Sequence, residues 1–140
     1  MKYSITFDES KCVACGACAV ACMDQCDTDA AFRTVCTKEG TEGDAPLFTF
    51  LSIGCMHCDN APCIAACGAG CLSRDDETGL VLLDSTNCIS CGSCREACPI
   101  HHPRIDRASG RMRKCDGCIQ RVKVGLKPAC VKVCPFGALQ

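Results

Sequence analysis

Apolar positions along this 140-residue chain come in short runs rather than long periodic stretches. Leu47–Ile53 lies in one of the longest runs and, like Lys2–Phe7, predicts a short strand. Leu80–Leu83 predicts another. It follows the turn signal Asp75, Asp76, Glu77, Thr78 and Gly79, so Leu72–Asp84 predicts a hairpin. Arg104–Arg107 and Arg111–Arg113, around Ala108, Ser109 and Gly110, predict a second hairpin. Short helices are predicted after Cys18, Cys63, Cys94 and Cys130. The fold class is therefore α+β, with small hairpins and short helices. Apolar stretches such as Pro46–Ile53 are far too short to span a bilayer.

Elements of this kind cannot build a large organic core. The chain has no Trp, one Tyr and five Phe, and its 48% hydrophobic share counts nineteen cysteines. A domain this small with so few large side chains is marginal without something else in its middle. Cysteine in this abundance marks a metal or disulfide scaffold. The opening from Met1 to Asp8 carries neither an apolar signal region nor a twin-arginine pair, which predicts a soluble cytoplasmic chain. Thiols stay reduced in the cytosol, and an odd cysteine count does not close a disulfide framework. Metal is the reading that follows.

Sixteen of the cysteines fall into four groups. Group one is Cys12, Cys15, Cys18 and Cys22; group two is Cys55, Cys58, Cys63 and Cys67. Group three is Cys88, Cys91, Cys94 and Cys98; group four is Cys115, Cys118, Cys130 and Cys134. Groups one and three share the run C-x2-C-x2-C-x3-C. Three thiolates on one short loop can wrap three corners of a 4Fe-4S cubane, and glycines such as Gly16 and Gly92 permit the close approach. The fourth cysteine leads away from that loop, and in two-cluster ferredoxins it ligates the other cluster. Zinc knuckles also use C-x2-C pairs, but they do not add a third and a fourth cysteine at these offsets. The spacing thus predicts iron–sulfur clusters.

The net charge of −1 is unevenly spread: residues 1–100 carry six Lys/Arg against fourteen Asp/Glu, and residues 101–140 carry nine against two. A basic segment can signal nucleic acid. Here it is read instead as offsetting cluster charge, about −2 for each oxidised cubane with its four thiolates, or as facing an acidic partner. No nucleophile–base set, phosphate loop or dinucleotide fingerprint is present. The chain is expected to be a non-catalytic carrier without flavin, NAD or nucleotide.

Four groups in series make an internal repeat of two ferredoxin-like modules with two clusters each. Groups two and three are joined by the Leu72–Asp84 hairpin, so residues 55–103 are expected to form one inserted module. Residues 1–54 and 104–140 are expected to form the outer one.

The residues also resemble a known family. Arg113, Lys114, Cys115, Asp116, Gly117 and Cys118, followed by Arg121, Gly125 and then Lys127, Pro128, Ala129, Cys130, Val131, Lys132, Val133, Cys134, Pro135, Phe136, Gly137, Ala138 and Leu139, are similar to the last cysteine group of a set of iron–sulfur subunits. These are the electron-transfer subunits of DMSO reductase-type molybdoenzymes, among them formate dehydrogenase beta subunits and small subunits of formate hydrogenlyase. Cys55, Met56, His57, Cys58, Asp59, Asn60, Ala61, Pro62 and Cys63 resemble the second group. The resemblance implies four 4Fe-4S clusters with crossed ligation. One cluster takes Cys12, Cys15, Cys18 and Cys134, and its module-mate takes Cys115, Cys118, Cys130 and Cys22. The inserted module pairs Cys55, Cys58, Cys63 and Cys98 with Cys88, Cys91, Cys94 and Cys67.

It also implies partners: a Mo- or W-pterin catalytic subunit, and a second redox protein such as hydrogenase, ferredoxin or a flavoprotein. Many relatives continue beyond group four with a membrane-facing extension, so a soluble complex is expected here. Gly68 stands where the family often has proline. A free soluble polyferredoxin and an accessory or maturation iron–sulfur protein are the alternatives, and the cysteines alone do not separate them. Stacking of copies into a homo-oligomer or filament is left open.

Cys26, Cys36 and Cys71 stand outside the groups and are read as small buried residues rather than ligands. His101 and His102 are read as loop residues before Pro103. His57, inside group two, is placed to donate a hydrogen bond to a cluster.

Overall fold

The computed structural model describes residues 2–140. Among these residues the regular elements are five α-helices and three antiparallel hairpins, with two short 3-10 turns at Glu9–Lys11 and Ser85–Asn87. In chain order they are α1 (Ala17–Cys26), β1 (Arg33–Glu42), β2 (Ala45–Gly54), α2 (Pro62–Ala66), β3 (Leu72–Arg74), β4 (Val81–Leu83), α3 (Ser93–Ala97), β5 (Arg104–Ile105), β6 (Met112–Arg113), α4 (Ile119–Lys123) and α5 (Ala129–Val133). The α+β class follows directly. No helix among the described residues is long and apolar enough to cross a membrane.

The chain divides into two compact units. One consists of residues 5–54 and 127–140. Its core gathers Cys18, Cys130, Val131 and Leu139 with Ile5, Phe7, Val35 and Cys134. The long hairpin β1–β2 pairs Arg33 with Gly54 at its base and Glu42 with Ala45 at its tip. Gly43 turns it with φ +61, a conformation glycine adopts without penalty. β1 has no sequence signal of its own: Thr34–Glu42 is mostly polar, and β2 recruits it as a pairing partner.

The strand predicted over Lys2–Phe7 does not form. The stretch is extended, with a single bridge between Phe7 and Leu139. Within this unit its pairing is with residues 138–140, Thr6 N donating to Gln140 O at 2.9 Å and Asp8 N to Ala138 O at 2.8 Å. Residues 2–4 belong instead to the other unit, where Tyr3 N donates to Thr78 O at 2.7 Å.

That other unit comprises residues 2–4 and 55–126. Leu72, Val81, Cys94 and Met112 form its core, with Ala61, Cys63, Ile64, Cys67, Leu83 and Cys88 packed against them. Both predicted hairpins are present, and they close with the same turn. Asp75 N donates to Leu80 O at 2.9 Å and its carboxylate accepts from Thr78 N at 2.8 Å. Asp106 N donates to Arg111 O at 2.8 Å and its carboxylate accepts from Ser109 N at 3.0 Å. Gly79 and Gly110 follow with φ +76 and +69. The two hairpins thus share one Asp-x-x-(Thr/Ser)-Gly turn. The unit runs on through Leu126 because residues beyond the second hairpin are tied to β4: buried Lys114 donates from Nζ to Val81 O at 2.5 Å.

Candidate metal centres

Each cysteine group opens with the same backbone kink. The residue just before the second cysteine has positive φ in all four: Ala14 at +55, His57 at +47, Ser90 at +58 and Gly117 at +69. Its N–H turns back to the first cysteine, donating to Sγ of Cys12 at 3.5 Å, Cys55 at 3.4 Å, Cys88 at 3.4 Å and Cys115 at 3.3 Å. Left-handed backbone costs a non-glycine residue about 1–2 kcal/mol, and three of the four loops bear that cost. Successive N–H groups in such a curl point to one side and make a concavity suited to anions.

The third cysteine of every group is the second residue of a helix: Cys18 in α1, Cys63 in α2, Cys94 in α3 and Cys130 in α5. Gly16 and Gly92 cap α1 and α3 from the left-handed region, at φ +78 and +77. The fourth cysteine ends the helix in three groups, as the cap of α2, α3 and α5. Pro99, Pro135 and Gly68 follow these caps, and proline and glycine stop a helix. After Cys22 comes Met23, so α1 continues to Cys26.

Two open cavities collect these cysteines. The first, of about 350 Å³, is lined by Cys12, Cys15, Cys18 and Cys134, with Phe7, Val35 and Leu139 among its apolar walls. The second, of about 390 Å³, is lined by Cys55, Cys58, Cys63 and Cys98, with His57, His102 and Lys114. In both, three cysteines of one group meet the fourth cysteine of another. Cys67, Cys88 and Cys94 share the core of the unit formed by residues 2–4 and 55–126, while Cys91 is exposed. Cys22 and Cys130 are buried neighbours in the unit containing α1 and α5. Cys115 and Cys118 lie in the kinked loop of the unit running to Leu126.

These residues meet the requirements of a 4Fe-4S cubane, which needs soft thiolates, donors aimed at sulfur, and positive charge to balance its own. The sulfurs ring a volume: among the described residues, no three of His, Cys, Asp and Glu converge on a point that could hold a single ion. Positive charge is buried beside them. Arg33 is 8% exposed and Lys114 7%, and among the described residues neither forms an ion pair with a carboxylate. A buried unpaired cation costs several kcal/mol, and an anionic cluster supplies the missing counter-charge.

Arg33 donates to Ser52 O at 3.0 Å and to Ser52 Oγ at 3.3 Å. Ser52 Oγ lies 3.3 Å from Cys18 Sγ. Burial pushes the Cys130 thiol up, and the Arg33 charge opposes it. Burial likewise raises Cys63 and Cys94, so metal must displace tightly held protons there. In the second cavity, burial and then the Lys114 charge push His57 down to about 3, leaving a neutral imidazole.

Of these auxiliary groups only His57 was legible in the sequence. Lys114 had adjacency to Cys115 as a signal. Arg33 and Ser52 had none, because strand pairing alone carries them to the cysteines. His102, read as a loop residue, accepts a hydrogen bond from Cys115 N on Nε2 at 3.0 Å. Among the ungrouped cysteines, Cys71 is buried and donates its N–H to Cys67 Sγ at 3.3 Å. Cys36 sits in β1 opposite Leu51, and Cys26 ends α1.

Comparison with known proteins gives the geometry a family. The model of the 4Fe-4S dicluster domain matches residues 47–140. The thiosulfate reductase electron transfer subunit PhsB of Salmonella typhi is 38% identical over 144 residues, covering 99% of this chain and 74% of the relative. A subunit of the anaerobic dimethyl sulfoxide reductase of Haemophilus influenzae is 36% identical, covering 99% and 72%. The iron-sulfur subunit of the nitrate-inducible formate dehydrogenase of Escherichia coli is 36% identical, covering 94% and 51%. With cysteine loops shaped for cubanes and relatives of this kind over nearly its whole length, the chain belongs to the 4Fe-4S dicluster family, the iron–sulfur subunits of DMSO reductase-type oxidoreductases.

Proposed function

We propose that this chain carries four 4Fe-4S clusters on its sixteen grouped cysteines and relays single electrons between a Mo- or W-pterin catalytic subunit and a second redox protein. The second partner is a hydrogenase, a ferredoxin or a flavoprotein. The observation that carries this reading is the crossing of groups in the two cavities, Cys134 with group one and Cys98 with group two. Crossing of that kind is how two-cluster ferredoxins join their clusters. By the same rule Cys67 serves Cys88, Cys91 and Cys94, and Cys22 serves Cys115, Cys118 and Cys130. The last set rests on the family resemblance.

On this reading the chain forms two ferredoxin-like modules, residues 55–103 inserted into residues 1–54 and 104–140. When bound, the clusters supply one-electron redox chemistry. The residues of this chain hold them, exclude water and set their potentials through burial, N–H donors and the buried cations Arg33 and Lys114. The chain itself performs no bond chemistry. Exposed Cys15 and Cys91 bring two of the centres near the surface, as electron exchange with partners requires. The names of the relatives span thiosulfate, dimethyl sulfoxide and formate, so the shared property is the wire and not the substrate.

Metal analysis of the anaerobically isolated native complex, captured through this chain, tests the reading. The expected result is about sixteen irons per copy beyond those of any partner, with molybdenum or tungsten present. Sixteen irons on a lone chain without Mo or W would favour a free polyferredoxin. About eight would rule out four cubanes.

A further inference from the structure

The two ring nitrogens of His57 are in different situations. Nδ1 accepts a hydrogen bond from Val81 N at 2.9 Å. A ring nitrogen that accepts a hydrogen bond carries no proton, so the proton of the imidazole sits on Nε2. That nitrogen is buried and has no hydrogen-bond partner among the described residues. The whole residue is 9% exposed. A buried donor left unpaired costs about 1–3 kcal/mol. His57 also holds φ +47, which non-glycine residues seldom adopt. His57 is one of the residues lining the cavity that holds Cys55, Cys58, Cys63 and Cys98.

The backbone of Val81 explains why the ring points as it does. Val81 faces Arg74 in the β3–β4 register. The neighbouring link is Asp75 N to Leu80 O. Bonded and non-bonded pairs alternate in an antiparallel ladder, so the N–H and C=O of Val81 turn away from β3. The N–H fixes His57 Nδ1, and the C=O receives Lys114 Nζ. One residue, through the two peptide groups on either side of its Cα, thus sets both the tautomer of His57 and the position of the adjacent ammonium.

We propose that His57 donates a hydrogen bond from Nε2 to a sulfur of the cluster held by Cys55, Cys58, Cys63 and Cys98, and thereby raises the reduction potential of that one cluster. The inference rests on the reading that these four cysteines hold a cluster. A donor aimed at sulfur stabilises the extra negative charge of the reduced state more than it stabilises the oxidised state. Lys114 acts in the same sense. His57 remains outside the iron ligand set.

The test is an EPR-monitored redox titration of the anaerobically purified complex with His57→Phe and His57→Gln. Cys55→Ala identifies which signal belongs to this cluster. In H57F, the reduced-to-oxidised ratio of that signal at a fixed poise should fall about tenfold, equivalent to about 59 mV for a one-electron couple. H57Q keeps a donor and should fall less. The other signals should not move. Pulsed EPR of the unaltered protein should show an imidazole nitrogen coupled to the same cluster, and the coupling should vanish in both His57 variants. Equal shifts in every signal, or no shift with iron content intact, would overturn the proposal. Absence of nitrogen coupling in the unaltered protein would overturn it even if both variants failed to fold. If Cys55→Ala removed neither a signal nor iron, the failure would lie instead with the ligand reading.

Discussion

Arg33 and Gly54 face each other at the base of the β1–β2 hairpin, and a β-carbon on residue 54 would stand 2.9 Å from Nη2 of Arg33. A side chain at residue 54 would therefore crowd the guanidinium, which would have to shift to admit it. The same guanidinium holds Ser52, which in turn lies against Cys18.

Gly54→Ala is expected to displace Arg33 and break its bonds to Ser52, at a cost of about 1–3 kcal/mol. Iron release to a chelator should be faster than in the unaltered protein. Arg33→Met, which removes the charge without crowding the site, should lower the potential of the centre containing Cys18. An unchanged release rate in G54A would show that the arginine can move aside without loss.

Cysteine replacements should separate ligands from bystanders. Cys134→Ala is expected to remove one cluster, about four irons per chain. Replacing Cys26, Cys36 and Cys71 together by Ala should leave the iron content unchanged. Loss of about four irons in the triple variant would make at least one of them a ligand, with Cys71 the first suspect because its N–H already touches Cys67 Sγ.

The Asp75 turn carries a pH-dependent contribution. Hydrogen bonds from the Thr78 side chain and backbone, then the Lys123 ion pair, lower its carboxyl to about 2. A carboxylate with a depressed pKa adds stability that is fully present above its unfolded value, near 3.9. That contribution is lost as pH falls through the folded value. Asp75→Asn should therefore lower the urea midpoint by the same amount at pH 7 and pH 5. The gap to the unaltered protein should narrow below about pH 4. A variant as stable as the unaltered protein at pH 7 would show that the turn closes without the charge.

Metal removal should unfold the chain. The two cores are small and include cysteines among their buried members, and without clusters the buried cations Arg33 and Lys114 lose their counter-charge. The apo-chain is expected to give a poorly dispersed NMR spectrum. Sharp, dispersed signals without iron would mean that the organic core suffices.

The sequence by itself determined the chemistry. Four thiolate loops at cubane spacing admit little else, and turn residues such as Asp75–Gly79 and Ala108–Gly110 marked the hairpins because a local turn is encoded locally. Helices after the third cysteines were legible for the same reason. Tertiary structure decided what depends on approach between distant segments. β1 exists because β2 offers a ladder to a polar stretch that would not form a strand alone. Lys2–Phe7 stays bridged and not laddered because its two halves pair with different segments, Tyr3 with Thr78 and Thr6–Asp8 with residues 138–140. Arg33, Ser52 and Lys114 reach the cysteines through strand pairing and hairpin packing, and the orientation of the His57 ring is set by one peptide of β4. No pattern along the chain carries these placements, since each is a contact between residues that only folding brings together.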